Sequence, residues 1–500
     1  LSYGRIEILK IGKDYGKTRI NPLIGDQVQR LKWYNKRNTF KEIRMAVKIN
    51  PYMFRAYDIR GVVGDDITEE VAIIIGKGIG TYLIKKGSKN LVVGEDNRPS
   101  SASLKAALIQ GLLSTGCNII DIGLCTTPMM YVAVCHWNME GGVVVTASHN
   151  PPQFNGFKVV GKQAYPIGGD DIQDLLKVTL DGNFAQGKGN YEQKSFVDEY
   201  INIIASKIQL ARPMKVVIDT GNAVAGIAAP KLFRKIGCEV IDLFTELDGN
   251  FPNHQPNPEE VHTLEELQRK VLENKADLGL GFDGDGDRLG LIDEQGEYRE
   301  ADYILMLLAQ DFLSRHPGER VLVDVKTSTN TINTIRKLGG VPLMWKTGHS
   351  LVKQKMREEG ILFGGELSGH MFMFEDYYPI DDANMAGARL VSFLSRGTKK
   401  VSEYFKDLPK LYSTKLIEIP CPDEIKFQVV EKVKDALLKQ YGEGFTEDGI
   451  RVSMSGGWAL VRASNTGAKL SMRFEADSPQ RLQEIQREIQ DLLDRTMKSI

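Results

Sequence analysis

Three carboxylates alternate with glycine in Gly281-Phe282-Asp283-Gly284-Asp285-Gly286-Asp287-Arg288, the densest chemical signal in the chain. Glycine between the aspartates lets the backbone turn tightly, so that three hard oxygen ligands can face one point. Such ligands suit Mg²⁺ or Ca²⁺ rather than zinc. An EF-hand competes for the same residues, since Glu294 is the twelfth residue counted from Asp283. Its sixth position is Arg288, where that loop needs glycine, and Leu278 to Phe282 ahead of it reads as a strand end, not a helix. Three protein oxygens leave Mg²⁺ room for a phosphate ligand, its usual habit at phosphoryl-transfer sites.

A second string, Thr146-Ala147-Ser148-His149-Asn150-Pro151-Pro152, continues to Asn155-Gly156-Phe157-Lys158. It follows the apolar run Gly142 to Val145, which places Ser148 in a loop at the C-terminal end of a strand. Ligands of open α/β sheets bind at that edge. The loop offers a hydroxyl nucleophile, and Lys158 a nearby cation. Adjacent Ser148 and His149 invite a hydrolase triad, but no Gly-x-Ser-x-Gly elbow surrounds them. Alone, the string is equally an ordinary polar turn.

Two further loops suit a sugar and a phosphate. Gly364-Gly365-Glu366-Leu367-Ser368-Gly369-His370 sets a carboxylate and a hydroxyl two residues apart, a fit for vicinal sugar hydroxyls. Arg462-Ala463-Ser464-Asn465-Thr466-Gly467 combines a guanidinium with three small hydrogen-bonding side chains. That set can hold a phosphate dianion through charge-assisted bonds and backbone amides.

These loops need a scaffold, and one pattern recurs: a β-branched run, then Asp with small polar residues, then a helical stretch. It is seen at Leu91 to Asp96, Val216 to Asp219 and Val321 to Asp324, spaced by roughly 105 to 125 residues. Runs apolar on both faces suit strands sandwiched between helices, and the spacing suggests one α/β unit used three times. The C-terminal part differs. Thr414 to Pro420 reads as a strand, Phe427 to Tyr441 as a helix, Trp458 to Arg462 and Lys469 to Glu475 as strands, and Ser478 to Ile500 as a helix. That is an α+β domain. The expected division is 45–197, 198–299, 300–410 and 411–500, carrying the Ser148, Asp283, Glu366 and Arg462 loops in turn.

Residues 1–44 hold eleven Lys and Arg against four Asp and Glu, with little apolar patterning. This basic extension is expected to lie outside the enzyme core. A length of 500 residues implies three or four domains, and 42% hydrophobic with 26% charged residues is ordinary for a soluble enzyme. A net charge of -1 supplies no field for nucleic acid or an acidic membrane, so neither is an expected partner. Five dispersed cysteines without a Cys-x-x-Cys pair read as reduced thiols, which argues against structural zinc. With no signal peptide and no apolar run near the roughly 18 residues of a membrane helix, the expected compartment is the cytoplasm.

Taken together and in this order, the four loops resemble the α-D-phosphohexomutase family. The segment Arg55-Ala56-Tyr57-Asp58-Ile59-Arg60-Gly61 resembles the family's first-domain signature, so the likeness runs from about Phe54 to Glu475. The resemblance implies an α/β fold: three related α/β domains with mixed sheets, plus a C-terminal α+β domain, around a central cleft. It implies a phosphorylated Ser148, with Mg²⁺ held by Asp283, Asp285, Asp287 and the serine's phosphate. A hexose 1-phosphate takes the phosphoryl group on its 6-hydroxyl, the hexose 1,6-bisphosphate turns over, and the serine recovers the other phosphate. By the same likeness Arg462, Ser464, Asn465 and Thr466 bind the phosphate that is not transferred, and Glu366 and Ser368 grip sugar hydroxyls. Tyr57 joins the substrate site, while Arg60, Lys158, Arg288, Lys326, His349 and His370 match positive groups lining the cleft. Lys158 and His349 both remain candidates for general base. One departure is Ala468 after Gly467, where relatives often have proline.

The expected reaction interconverts mannose and/or glucose 1- and 6-phosphates, with the bisphosphate as activator and small sugar phosphates as partners, in a monomer or homodimer. Leu367 favours the glucose/mannose branch over a phosphoglucosamine mutase, whose loop commonly carries a polar residue there. A metal-dependent phosphatase that hydrolyses its phosphoserine is a competing class, and a non-catalytic sugar-phosphate sensor another.

Overall fold

Each of the three buried strand runs is a strand inside a layered α/β unit in the computed structural model, which describes residues 48–464 and 467–500. The first sheet has six strands, in the spatial order Ile59–Val62, Phe154–Val160, Gly141–Val145, Asn90–Glu95, Asn118–Leu124, Tyr191–Gln193. The second has the order Tyr298–Arg299, Leu289–Asp293, Leu278–Phe282, Lys215–Asp219, Glu239–Leu243. The third has the order Val341–Trp345, Arg320–Asp324, Phe363–Gly365, Met371–Met373. All three are mixed, as the resemblance implies: a parallel centre and one antiparallel return strand.

The return strand is the device that positions the chemistry. In every unit a buried parallel strand turns back on itself at its C-terminal end: Gly141–Val145 into Phe154–Val160, Leu278–Phe282 into Leu289–Asp293, Phe363–Gly365 into Met371–Met373. The three connecting loops are those of Ser148, of Asp283 to Asp287, and of Glu366 to His370. Repetition of one hairpin thus delivers three different chemistries at equivalent places. The strands stay in register because they are buried along their length, Gly141–Val145 and Leu278–Phe282 at every position. A one-residue slip would turn their side chains over, and full burial of each Val or Leu is worth about 1.5–3 kcal/mol.

Val92, Val144, Val216, Leu280, Val321 and Phe363 belong to one apolar cluster, so the first three units share a core. The C-terminal unit has its own, around Val433, Leu437, Phe474 and Ile489. It is an antiparallel sheet with the helices Lys426–Tyr441 and Pro479–Lys498, the expected α+β arrangement. The strand expected over Thr414 to Pro420 is instead two short strands, Tyr412–Ser413 and Ile417–Pro420, both paired to Lys469–Ala476. Ser413 faces Glu475 and Ile417 faces Met472, so four steps on one side match three on the other: a one-residue bulge. The strand Ile450–Met454 is an addition; its five residues alternate apolar Ile450, Val452 and Met454 with polar Arg451 and Ser453, a short period-2 run that is not among the expected strands. No helix among the described residues is long and apolar enough to cross a membrane.

Candidate active site

Ser148 sits at the tip of the first hairpin with a φ of +51°, a left-handed conformation that the sequence gives no hint of. Its N–H donates to Thr146 Oγ1 at 3.0 Å. Its Oγ donates to Asp283 Oδ2 at 2.7 Å and lies 3.2 Å from His149 Nδ1. The two loops are in direct contact: a Cβ on Gly284 would fall 2.1 Å from the Ser148 carbonyl oxygen. Gly284→Ala is therefore expected to push the serine off line and lower kcat by about 10²-fold. Steady-state kinetics together with a melting curve would separate this from unfolding.

Behind the serine, the three aspartates are wholly buried, and one oxygen of each lies within 4.8 Å of the others. Asp283 Oδ1 accepts the N–H groups of Asp287 and Arg288, at 3.0 and 3.1 Å, which fixes the turn. Lys158 Nζ lies 2.6 Å from both Asp285 Oδ2 and Asp287 Oδ2. Thr127 Oγ1 donates to Asp285 Oδ2 at 2.6 Å. Burial, and then the charges of Asp287 and Asp285, push the Asp283 carboxyl well above the usual range. Burial works the same way on Asp285, but Lys158 overcomes it and holds that carboxyl low. Burial opposes the charge on Lys158 too; Asp285 and Asp287 outweigh it and keep the ammonium protonated. Asp285 Oδ1 and Asp287 Oδ1 are buried with no hydrogen-bond partner among the described residues. A set of buried carboxylates with idle oxygens and a carboxyl driven toward its neutral form fits a hard divalent cation.

Across the cavity, Glu366 Oε1 accepts the Gly348 N–H at 2.7 Å, while Oε2 is buried without a partner among the described residues. Lys326 Nζ stands 3.3 Å from Asp324 Oδ2. Arg60 bonds Asn150 Oδ1 at 3.2 Å and pairs with Asp58, and Arg288 pairs with Glu259. His349 opens the helix His349–Glu359 and stacks on His370, ring centroids 5.2 Å apart, with Tyr57 edge-on at 4.9 Å. Burial, ahead of the Lys353 charge, holds the His349 imidazole neutral, and neither ring nitrogen has a hydrogen-bond partner among the described residues. His370 Nε2 accepts from Arg288 Nε at 3.1 Å, so its proton belongs on Nδ1, 2.9 Å from Asp381 Oδ2. His349, desolvated, departs from the expectation of a positive group.

From the fourth unit, Arg462 Nε donates to Asp448 Oδ2 at 3.0 Å, and that oxygen also accepts the Thr347 N–H at 2.9 Å. Arg462 Nη2 is buried with no partner among the described residues. Lys426 Nζ ties the loop through the Ser464 carbonyl at 2.8 Å. Asn465 and Thr466 lie outside the described residues.

One cavity of about 430 Å³ collects these groups. Ser148, Lys158, Tyr57, Arg60, Arg288 and Lys326 line it, as do His349, Glu366, Ser368, His370, Arg462 and Ser464. Its wall holds seven Lys and Arg against four Asp and Glu, an excess suited to phosphate. Reading by motif missed Thr127, Asp381, Asp448 and Glu259. Their partners lie in other segments, 14 residues away for Asp448 and Arg462 and 158 for Thr127 and Asp285, so no motif spacing marks them.

Comparison with known proteins agrees with this layout. The family models for phosphoglucomutase/phosphomannomutase match in order: α/β/α domain I over 52–186, domain II over 194–296, domain III over 300–412, and the C-terminal domain over 416–492. The phosphomannomutase/phosphoglucomutase of Pseudomonas aeruginosa is 44% identical over 436 residues, 87% of this chain and 93% of that one. A Neisseria gonorrhoeae phosphoglucomutase is 40% identical over 441 residues, 87% and 95% of the two chains. The crystal structure of a phosphoglucomutase/phosphomannomutase family protein from Burkholderia thailandensis superimposes with a TM-score of 0.85 at 40% identity, covering 90% and 98%. Matched over most of its length by all four domain models, the chain belongs to the phosphoglucomutase/phosphomannomutase family, the α-D-phosphohexomutases.

Proposed function

We propose that the protein is a reversible phosphomutase that interconverts hexose 1-phosphate and hexose 6-phosphate, of mannose and/or glucose. It would work through phosphorylated Ser148 and a hexose 1,6-bisphosphate, as a cytoplasmic monomer or homodimer. One observation carries the reading: the Ser148 hydroxyl, bonded to Asp283, opens into the same cavity as Glu366 and Arg462.

In the forward direction the phosphoserine P–Oγ bond breaks as a bond forms to O6 of hexose 1-phosphate. The O6 proton passes to the His349 imidazole, which burial keeps neutral and whose ring nitrogens have no hydrogen-bond partner among the described residues, since Lys158 is held protonated between two carboxylates. The bisphosphate then reverses. Its P–O1 bond breaks, Ser148 Oγ takes the phosphoryl group, and the proton returns to O1. Arg462 and Ser464 hold whichever phosphate is not transferring, while Glu366 and Ser368 accept the sugar hydroxyls in either orientation. Asp283, Asp285 and Asp287 would hold Mg²⁺, which draws charge from the transferring group when bound. The cationic excess of the cavity serves two phosphates on one small sugar.

The test is a mutase assay on glucose 1-phosphate and mannose 1-phosphate, with free phosphate followed in parallel and intact mass read on the purified protein. Isomerisation without matching phosphate release, with one phosphoryl mass on the resting chain, is the expected result. Phosphate release equal to turnover would make the protein a phosphatase, and strong preference for glucosamine 6-phosphate would move it to the amino-sugar branch. Glu366→Gln keeps an acceptor for the Gly348 N–H but loses the charge. It is expected to raise KM by about 10- to 100-fold with a smaller change in kcat.

A further inference from the structure

Ser148 holds a left-handed backbone, φ +51°. A residue with a Cβ keeps such a conformation only where its surroundings over-determine it. Those surroundings converge on Arg98, a buried side chain that lies behind the loop and outside the cavity lining.

A guanidinium has five N–H donors in a rigid fork, and all five of Arg98 are engaged. Nη2 donates to the carbonyls of Ser148 and Asn150, both at 2.6 Å. Nη1 donates to the carbonyls of Pro151 and Phe154, at 2.7 and 3.2 Å. Nε donates to Asp96 Oδ2 at 3.0 Å. Asp96 closes the circuit from the other side: Oδ2 accepts from Thr146 Oγ1 at 2.7 Å, and that hydroxyl oxygen accepts the Ser148 N–H. Both the N–H and the C=O of Ser148 are therefore anchored to one Asp96–Arg98 pair. Phe251, from the second unit, covers the guanidinium face at 5.2 Å. Four carbonyls that point at one spot repel unless a planar multi-donor cation fills it. Lysine, with three donors on a tetrahedral head, cannot match that geometry.

We propose that Arg98 is a positioning residue for phosphoryl transfer, holding Ser148 in the left-handed conformation that aims Oγ at Asp283. The proposal rests on Ser148 being the phosphoryl carrier. Arg98 has no donor left for a ligand among the described residues, so it acts through the serine loop and not on the substrate.

The experiment compares the full chain with Arg98→Lys and Arg98→Ala, each with Mg²⁺, glucose 1-phosphate and saturating glucose 1,6-bisphosphate. Both variants should lose about 10²-fold in kcat, the usual result of a misplaced reacting group, while KM stays within about threefold. Added guanidinium ion should restore part of kcat to Arg98→Ala by refilling the fork, and should do nothing for Arg98→Lys. Near wild-type kcat in Arg98→Lys, or no guanidinium response in a folded Arg98→Ala, would overturn the proposal. Should Arg98→Ala not fold, Thr146→Val decides, since it cuts the Asp96 link to the Ser148 N–H. A fall in kcat at constant KM supports the proposal and wild-type kcat overturns it. Ser148→Ala run alongside keeps the two readings apart: activity in that variant would refute the phosphoryl carrier itself, whatever Arg98 does.

Discussion

Ser148→Ala is expected to lower kcat by about 10⁴-fold or more and to remove the phosphoryl mass from the resting protein. The argument is geometric. Ser148 Oγ is the hydroxyl bonded to Asp283, whereas Ser368 and Ser464 line the cavity from the sugar and phosphate loops. Water cannot take its place in a mutase, because a phosphoryl group given to water is lost to the cycle. KM should change little, since Glu366, Ser368 and Arg462 are untouched. Stability should change little as well: one hydrogen bond goes, worth about 1 kcal/mol. A folded Ser148→Ala variant with full turnover would end the phosphoserine reading.

Lys158→Met is expected to lower kcat by about 10²- to 10³-fold, the usual scale for losing one preorganised charge at a phosphoryl-transfer site. It should also separate the metal-free and Mg²⁺-loaded proteins in stability. Lys158 is bonded to Asp285 and Asp287, and all three are buried. Breaking a buried pair by deleting one partner typically costs about 3–5 kcal/mol, because the remaining charge is stranded; here two carboxylates are left together. In the metal-free variant the melting temperature should fall by several degrees. Mg²⁺ should recover most of that loss, since a divalent cation would neutralise the same oxygens, Asp285 Oδ1 and Asp287 Oδ1 being idle. Equal losses with and without Mg²⁺, read by differential scanning calorimetry, would show that these carboxylates do not hold the ion.

Both expectations depend on relations between loops, and it is there that the legibility of the chain changes. Glycines around Asp283, Asp285 and Asp287 announce a tight acidic turn, and paired polar groups at Glu366 and Ser368 announce a hydroxyl grip. The α/β runs announce the sheets, because a strand buried on both faces must be apolar throughout. The bulge that divides Tyr412–Ser413 from Ile417–Pro420 is not legible in this way. It arises from register against Lys469–Ala476, which is not written in either strand alone. The same holds for His370, whose Nε2 is made an acceptor by Arg288, 82 residues away.

By itself, then, the sequence determined which chemistries are available: a hydroxyl, three hard carboxylates, a sugar grip and a phosphate loop, each a short string whose members are close along the chain. Short-range order of that kind survives in one dimension because turns and ligand sets are built from neighbours. Only the tertiary structure decided how they act together. It brought Ser148 against Asp283 across 135 residues, set the serine in a left-handed conformation from behind, and paired one lysine with two aspartates. Those are properties of distance and burial, where desolvation makes each charge depend on its neighbours.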